Sequence, residues 1–179
     1  MKKLLLMFVV ACFALTQLIA QEPTFVKGDK VLNLSLGLGS HYYTSYYKMQ
    51  VPPVSASLEF GVVDNILEKG VIGVGPYFGY FSSKYAGYWK TSYLVLGARG
   101  NFHYPLANKL DTYTGLLLGY NIVSYKDLDD YVGDYSGSSS GIAWAWFVGA
   151  RYYFKDNFAV MAELGYGIAY LNLGIALKF

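Results

Sequence analysis

The 179-residue sequence predicts an all-β fold, a closed antiparallel up-and-down transmembrane β-barrel of about eight strands behind an N-terminal signal peptide. Three observations predict it. Segments of roughly ten residues alternate apolar with small or polar side chains at a period of two, the pattern of a strand with two unlike faces. Charged residues are only 15% of the chain and aromatic ones 18%, with 19 tyrosines and 20 glycines, whereas a soluble domain carries about 25% charge. A chain so poor in charge needs a solvent other than water on part of its surface, and the leader directs it out of the cytoplasm.

That leader comes first. Met1-Lys2-Lys3 precedes an apolar run from Leu4 to Leu15, and Ala20 stands before Gln21-Glu22. A basic start, an apolar core and a small residue at the cut mark a secretory signal peptide over residues 1–20; the core is shorter than the roughly 20 residues of a spanning helix. Val9-Val10-Ala11-Cys12 resembles a lipoprotein signal, yet cutting there would leave apolar Phe13-Ala14-Leu15 where a polar tether belongs. Cleavage after Ala20 removes Cys12, the one cysteine, and with it disulfide, thiol and thiolate-metal chemistry. It also removes Lys2 and Lys3, so the 14 basic residues become 12 against 12 acidic ones. No basic footprint for nucleic acid remains.

Residues 21–30 read as a short polar periplasmic lead and 31–179 as the barrel domain. Strand one sets Leu32, Leu34, Leu36 and Leu38 against Asn33, Ser35, Gly37 and Gly39. Strand two, Val54 to Val62, places Ser55, Ser57, Glu59 and Gly61 on its polar face, and strand three, Val71 to Phe81, places Gly73, Gly75, Tyr77 and Gly79 there. Pro76 lacks a ladder donor and predicts a bulge or locally broken pairing. Strand four spans Ser92–Tyr104, with Arg99, Asn101 and His103 on the polar face; strand five spans Thr112–Val123 and strand six Ile142–Phe154, the latter with Arg151 on that face. Strands seven and eight are Phe158–Tyr166, with Glu163 on the polar face, and Leu171–Phe179.

The joins at Val63–Lys69, Pro105–Leu110 and Lys155–Asn157 are short, while Ser40–Pro53, Ser82–Thr91 and Ser124–Ser140 are long and polar; only the turn around Gly167–Ala169 departs from this. Short periplasmic turns and long external loops are the outer-membrane habit, which makes the protein integral to a bacterial outer membrane with both mature termini in the periplasm. A soluble barrel would alternate too, but with charge outside. Here the polar face is Gly, Ser, Asn and Ala, which suits the cramped lumen of a narrow barrel, so the apolar face meets lipid. Aromatics gather at both strand ends as two girdles: Phe102, Tyr104, Tyr152, Phe154, Phe158 and Phe179 at one, Tyr80, Tyr120, Trp144 and Tyr166 at the other.

With its leader, its repeated alternation and its closing Leu171-Asn172-Leu173-Gly174-Ile175-Ala176-Leu177-Lys178-Phe179, the chain resembles the small eight-stranded OmpA/OmpX-type outer-membrane barrel family. The resemblance implies that Leu173, Ile175, Leu177 and the terminal Phe179 are read by the outer-membrane assembly machinery. It also implies lipid and lipopolysaccharide as partners, with an extracellular ligand or envelope protein unidentified. No periplasmic peptidoglycan-binding domain is expected after the barrel.

Four charges fall on the lumen face within one slab: Glu59, Arg99, Arg151 and Glu163. Buried charges persist only when paired, so they predict a structural plug, with Arg151 one diagonal step from Glu163 and Glu59 on the far wall; an ion gate is the alternative. Catalysis is not expected. The only histidines, His41 in the first loop and His103 at the periplasmic end of strand four, lie at opposite membrane faces without a serine partner at a suitable spacing. Asp127, Asp129, Asp130 and Asp134 in the third loop lack the ligand order of a calcium loop, so neither metal nor cofactor is expected. Tyr42, Tyr43, Tyr46, Tyr47, Tyr85, Tyr88 and Trp89 form a candidate recognition surface, tyrosine giving contact area at low entropy cost. The function expected is a non-enzymatic structural or surface-interaction role; the alternative is a narrow porin-like conduit resembling OmpW, for ions or small apolar molecules.

Overall fold

The structure, a computed structural model, describes residues 23–39, 47–85, 89–127 and 136–179. The expected signal peptide with Cys12, the start of the lead, and the loop residues His41, Tyr42, Tyr43, Tyr46, Tyr88, Asp129, Asp130 and Asp134 lie outside these residues. Eight strands follow in order: β1 (Lys30–Leu38), β2 (Tyr47–Ile66), β3 (Gly70–Tyr85), β4 (Trp89–Ala107), β5 (Leu110–Asp127), β6 (Ser136–Lys155), β7 (Phe158–Gly165) and β8 (Leu171–Lys178). Each pairs antiparallel with the next, and β8 returns to β1 through a ladder from Val31↔Lys178 to Leu38↔Leu171, closing the ring.

The pleat explains which side chains point where. Odd-numbered Asn33, Ser57, Glu59, Arg99, Tyr113, Phe147, Arg151 and Glu163 are buried inside, while their even-numbered neighbours Leu34, Leu116, Leu118, Ile142, Trp144 and Leu164 stand 40–79% exposed outside. This is the reverse of a water-soluble barrel. Hydrocarbon can cover such a surface, and ring closure pairs the strands with one another along all eight shared ladders, as a bilayer demands.

β2 to β6 run 16–20 residues, beyond the alternating segments that predicted them and beyond the roughly 9–11 that cross a bilayer. The second expected loop, Ser82–Thr91, is mostly strand: Ser82, Ser83, Lys84 and Tyr85 pair with Ser92, Thr91, Lys90 and Trp89. Beyond the lipid both faces meet water, so hydrophobic alternation fades although the hydrogen-bond ladder continues. β7 and β8 have only eight residues each, and β7 stops within the apolar band.

Pro76 breaks pairing on one side only. It faces Ala98 of β4, whereas the β2–β3 ladder passes from Ser57↔Tyr77 to Phe60↔Val74 in an unchanged register. The result is a gap, not a bulge. Beside it the backbones of β2 and β3 come close: a Cβ at Gly75 would stand 1.7 Å from the Leu58 carbonyl oxygen.

The lead is not a free tail. Its Phe25, 1% exposed, packs with Val31, Val71, Tyr153, Ala159 and Ala176 in the barrel end where β1 begins and β8 ends. Gly28, at φ +94°, a conformation glycine adopts without strain, donates its N–H to the Gly61 carbonyl (2.9 Å), and Gly61 donates back to Asp29 (3.0 Å). Lys178 Nζ donates to the Thr24 carbonyl (3.0 Å). The segment from Pro23 to Asp29 therefore stoppers this mouth.

These contacts predict that Gly75→Val lowers the heat-modifiable folded fraction on a gel and the melting temperature by circular dichroism. Gly100→Ala, where an added Cβ meets nothing within 4 Å, leaves both unchanged.

Candidate functional site

β2, β4, β5 and β6 each direct one ionisable side chain to the same level of the lumen. Glu59 Oε1 accepts from His103 Nε2 (2.6 Å) and from Asn101 Nδ2 (2.6 Å). Its Oε2 accepts from Arg151 Nη2. Arg151 Nη1 in turn donates to Asp111 Oδ2 (3.0 Å), and Asp111 Oδ1 lies 2.7 Å from His103 Nδ1. Glu59, His103, Asp111 and Arg151 thus form a closed ring, each 3% exposed or less. An imidazole donates to two carboxylates only as imidazolium, and in that form the four groups carry no net charge.

A second pair lies one level away. Arg99 Nη2 donates to Glu163 Oε2 at 2.5 Å, and the Tyr113 hydroxyl donates to the same oxygen at 3.2 Å. The Arg99 guanidinium sits 3.7 Å from the centroid of the Phe147 ring, a desolvated cation–π contact worth about 2 kcal/mol. Tyr113 joins the levels, because its ring also lies 4.7 Å from the Arg151 guanidinium and 5.2 Å from the His103 ring.

The expected partnership of Arg151 with Glu163 is therefore corrected. Arg99 is the arginine on Glu163, and Arg151 reaches across to Glu59 on the opposite wall. A diagonal step along the wall counts only the neighbouring strand. The lumen is narrow enough for the guanidinium to cross it to Glu59, and its other terminal nitrogen meets Asp111, directly opposite on β5. Sequence reading also missed Asp111, which lies between the expected turn Pro105–Leu110 and the expected strand from Thr112. Its odd parity, shared with Tyr113, Gly115 and Leu117, was the available signal. Phe25 covers the His103 ring at 4.3 Å from the terminal side.

On the other side, Tyr77, Phe81, Val95, Leu117, Phe147 and Ile168 pack into an apolar core. The space beside Arg99, Glu163 and Asn172 amounts to about 20 Å³, room for one water. Among the remaining candidates, Trp89 is 37% exposed at the end of β4, and of Tyr47 and Tyr85 only the strand backbone is described. Leu173 and Phe179 stand 45% and 69% exposed, on the outward side of β8 with Ile175 and Leu177.

An inside-out closed ring of eight antiparallel strands, filled by its own side chains, defines the class: small transmembrane β-barrels of the outer-membrane type, like those of OmpA and OmpX. Solved structures similar to this chain are of that class. Neisserial surface protein A gives a TM-score of 0.54 at 13% identity over 84% of this chain and 94% of its own. Ail, the attachment invasion locus protein of Yersinia pestis, gives 0.50 at 14% identity over 86% and 96%. The N-terminal β-barrel domain of Pseudomonas aeruginosa OprF gives 0.50 at 16% identity over 86% and 98%. No family model matches the sequence, and no curated protein matches it.

Breaking a buried ion pair from one side costs about 3–5 kcal/mol, while removing both partners is far milder. Arg99→Leu is therefore expected to lower unfolding stability in urea-titrated liposomes by about that amount, and the double variant Arg99→Leu/Glu163→Leu to recover most of it. Arg151→Leu leaves the Arg99–Glu163 contact in place but removes one donor from each of two carboxylates and leaves His103 as the one cation between Glu59 and Asp111. It should cost more than Arg99→Leu in the same titration.

Proposed function

We propose that the protein is an integral outer-membrane barrel without catalytic activity, which contributes to envelope structure and carries a surface platform for interactions. The observation that supports this best is the filled lumen. Phe25, the four-membered charge ring, the Arg99–Glu163 pair and the aromatic core succeed one another along the axis, and an eight-stranded ring has little room beyond its side chains. A conduit for ions or small apolar molecules would need that stack to open.

In this reading the mouth stoppered by residues 23–29 faces the periplasm with both mature termini. The extended parts of β2 to β6 then project outward, carrying the tyrosine-rich loops as the recognition surface for an extracellular ligand or envelope partner. Residues 1–20 act as the cleaved signal peptide. The outward row Leu173, Ile175, Leu177 and Phe179 on the last strand serves the assembly machinery, and lipid and lipopolysaccharide cover the apolar band.

Planar-bilayer recording from purified folded protein tests the closed lumen: no reproducible single-channel steps are expected, and steps of uniform size would overturn it. Lipid A from cells overexpressing the protein is expected to be unchanged by mass spectrometry; a modified species would contradict the non-catalytic reading.

A further inference from the structure

β6 outlasts its neighbour. It pairs with β7 only between Phe147↔Gly165 and Lys155↔Phe158, so among the described residues Ser136 to Trp146 have no strand partner on that side. The turn after β7 covers the first step of the gap: Tyr166 donates its N–H to the Trp146 carbonyl (3.0 Å), and Ile168 folds inward, 5% exposed, onto the lumen core. Above this turn the wall holds a lateral slot of about 190 Å³.

The slot is lined from both sides of the wall. Val95, Leu117, Ala145 and Ile168 belong to the lumen face, and Ile142 and Trp144 to the outer face. Those two outer residues pair with Tyr120 and Leu118 of β5, and all four are at least half exposed. The slot is thus continuous with the lipid-facing band. Its rim is also polar in a regular way. Alternate residues of an antiparallel strand present N–H and C=O to the same edge; since the Trp146 carbonyl faces the turn, Trp144 and Ile142 present theirs to the slot.

We propose that this slot binds one acyl chain of a membrane lipid, which enters sideways between β6 and the β7–β8 turn. Its ester oxygens accept from the Trp144 and Ile142 N–H groups at the rim, and its hydrocarbon lies against Leu117, Ala145 and Ile168. An apolar cavity of about 150 Å³ holds benzene, so the slot admits a chain segment and not a whole lipid. The bilayer is the source because the mouth opens onto the lipid-covered surface, and the Arg99–Glu163 pair closes the lumen below. The small side chains of Ala143 and Ala145, both lining the slot, keep it open.

The test uses the folded protein in phospholipid nanodiscs containing a phosphatidylcholine with a diazirine near one chain end. Light-induced adducts are mapped by mass spectrometry. Adducts on the inward-facing Leu117, Ala145 or Ile168 are expected, and are expected to be lost in Ala145→Phe or, should that variant fail the gel-shift test of folding, in Ala143→Leu. Adducts confined to outward-facing residues of the wild type, or inward adducts that survive in the folded variant, would overturn the proposal. Inward labelling by a free diazirine fatty acid but not by the phospholipid would overturn the bilayer as source.

Discussion

Glu59 is met by three donors at once, from Asn101, His103 and Arg151, and the constraint behind that crowding governs the barrel. A carboxylate in the lumen of an eight-stranded ring is cut off from bulk water by a wall of hydrocarbon outside and by packed side chains above and below. It is tolerable only where partners from other strands satisfy it. The glycines of the lumen face follow from the same constraint. A Cβ at Gly73 would stand 2.2 Å from Glu59 Oε1, one at Gly115 2.2 Å from Asn101 Oδ1, and one at Gly149 2.5 Å from the Tyr113 ring. Small residues on one strand make room for a long polar side chain on the next, so the alternation of glycine with charge is a packing requirement.

Outside the ring of charges the molecule is asymmetric. β7, β8 and β1 are short, and β7 ends within the apolar band, below the outward Ile142 and Trp144 of β6, while five longer strands continue past the band. The short sector is where the β7–β8 turn bends Ile168 and Ala169 into the lumen, so the wall that is lowest is also the one that caps the core. At the opposite mouth the lead performs the corresponding task with Phe25. The barrel is closed from both ends by its own irregular segments, and the charge ring lies between them.

Much of this was legible in the sequence because the strand period is two: one residue of known orientation fixes the face of every other. That is how Glu59, Arg99, Arg151 and Glu163 were placed together, and how Leu34, Trp144 and Leu164 were placed on the lipid side. Pairing was not legible to the same degree. Parity gives the face but not the partner across the lumen, and Arg151 joins Glu59 on the far wall and Asp111 on β5 rather than Glu163 on β7. Asp111 was hidden by its closeness to a turn. Phe25 was hidden because a single aromatic in a polar segment carries no period, and the long β2–β6 hairpins because outside the lipid their two faces are equally polar.

Side-chain hydrogen exchange is the most direct test of the central claim, that the lumen is closed by a buried network of paired charges. In protein folded into nanodiscs and transferred to deuterated water, the N–H signals of the Arg99 and Arg151 guanidinium groups and of the His103 ring are predicted to persist after the exposed lysine and loop amide signals have gone. If those three residues exchange as fast as the exposed groups, water reaches the ring freely, and the account of a lumen sealed by paired charges is wrong.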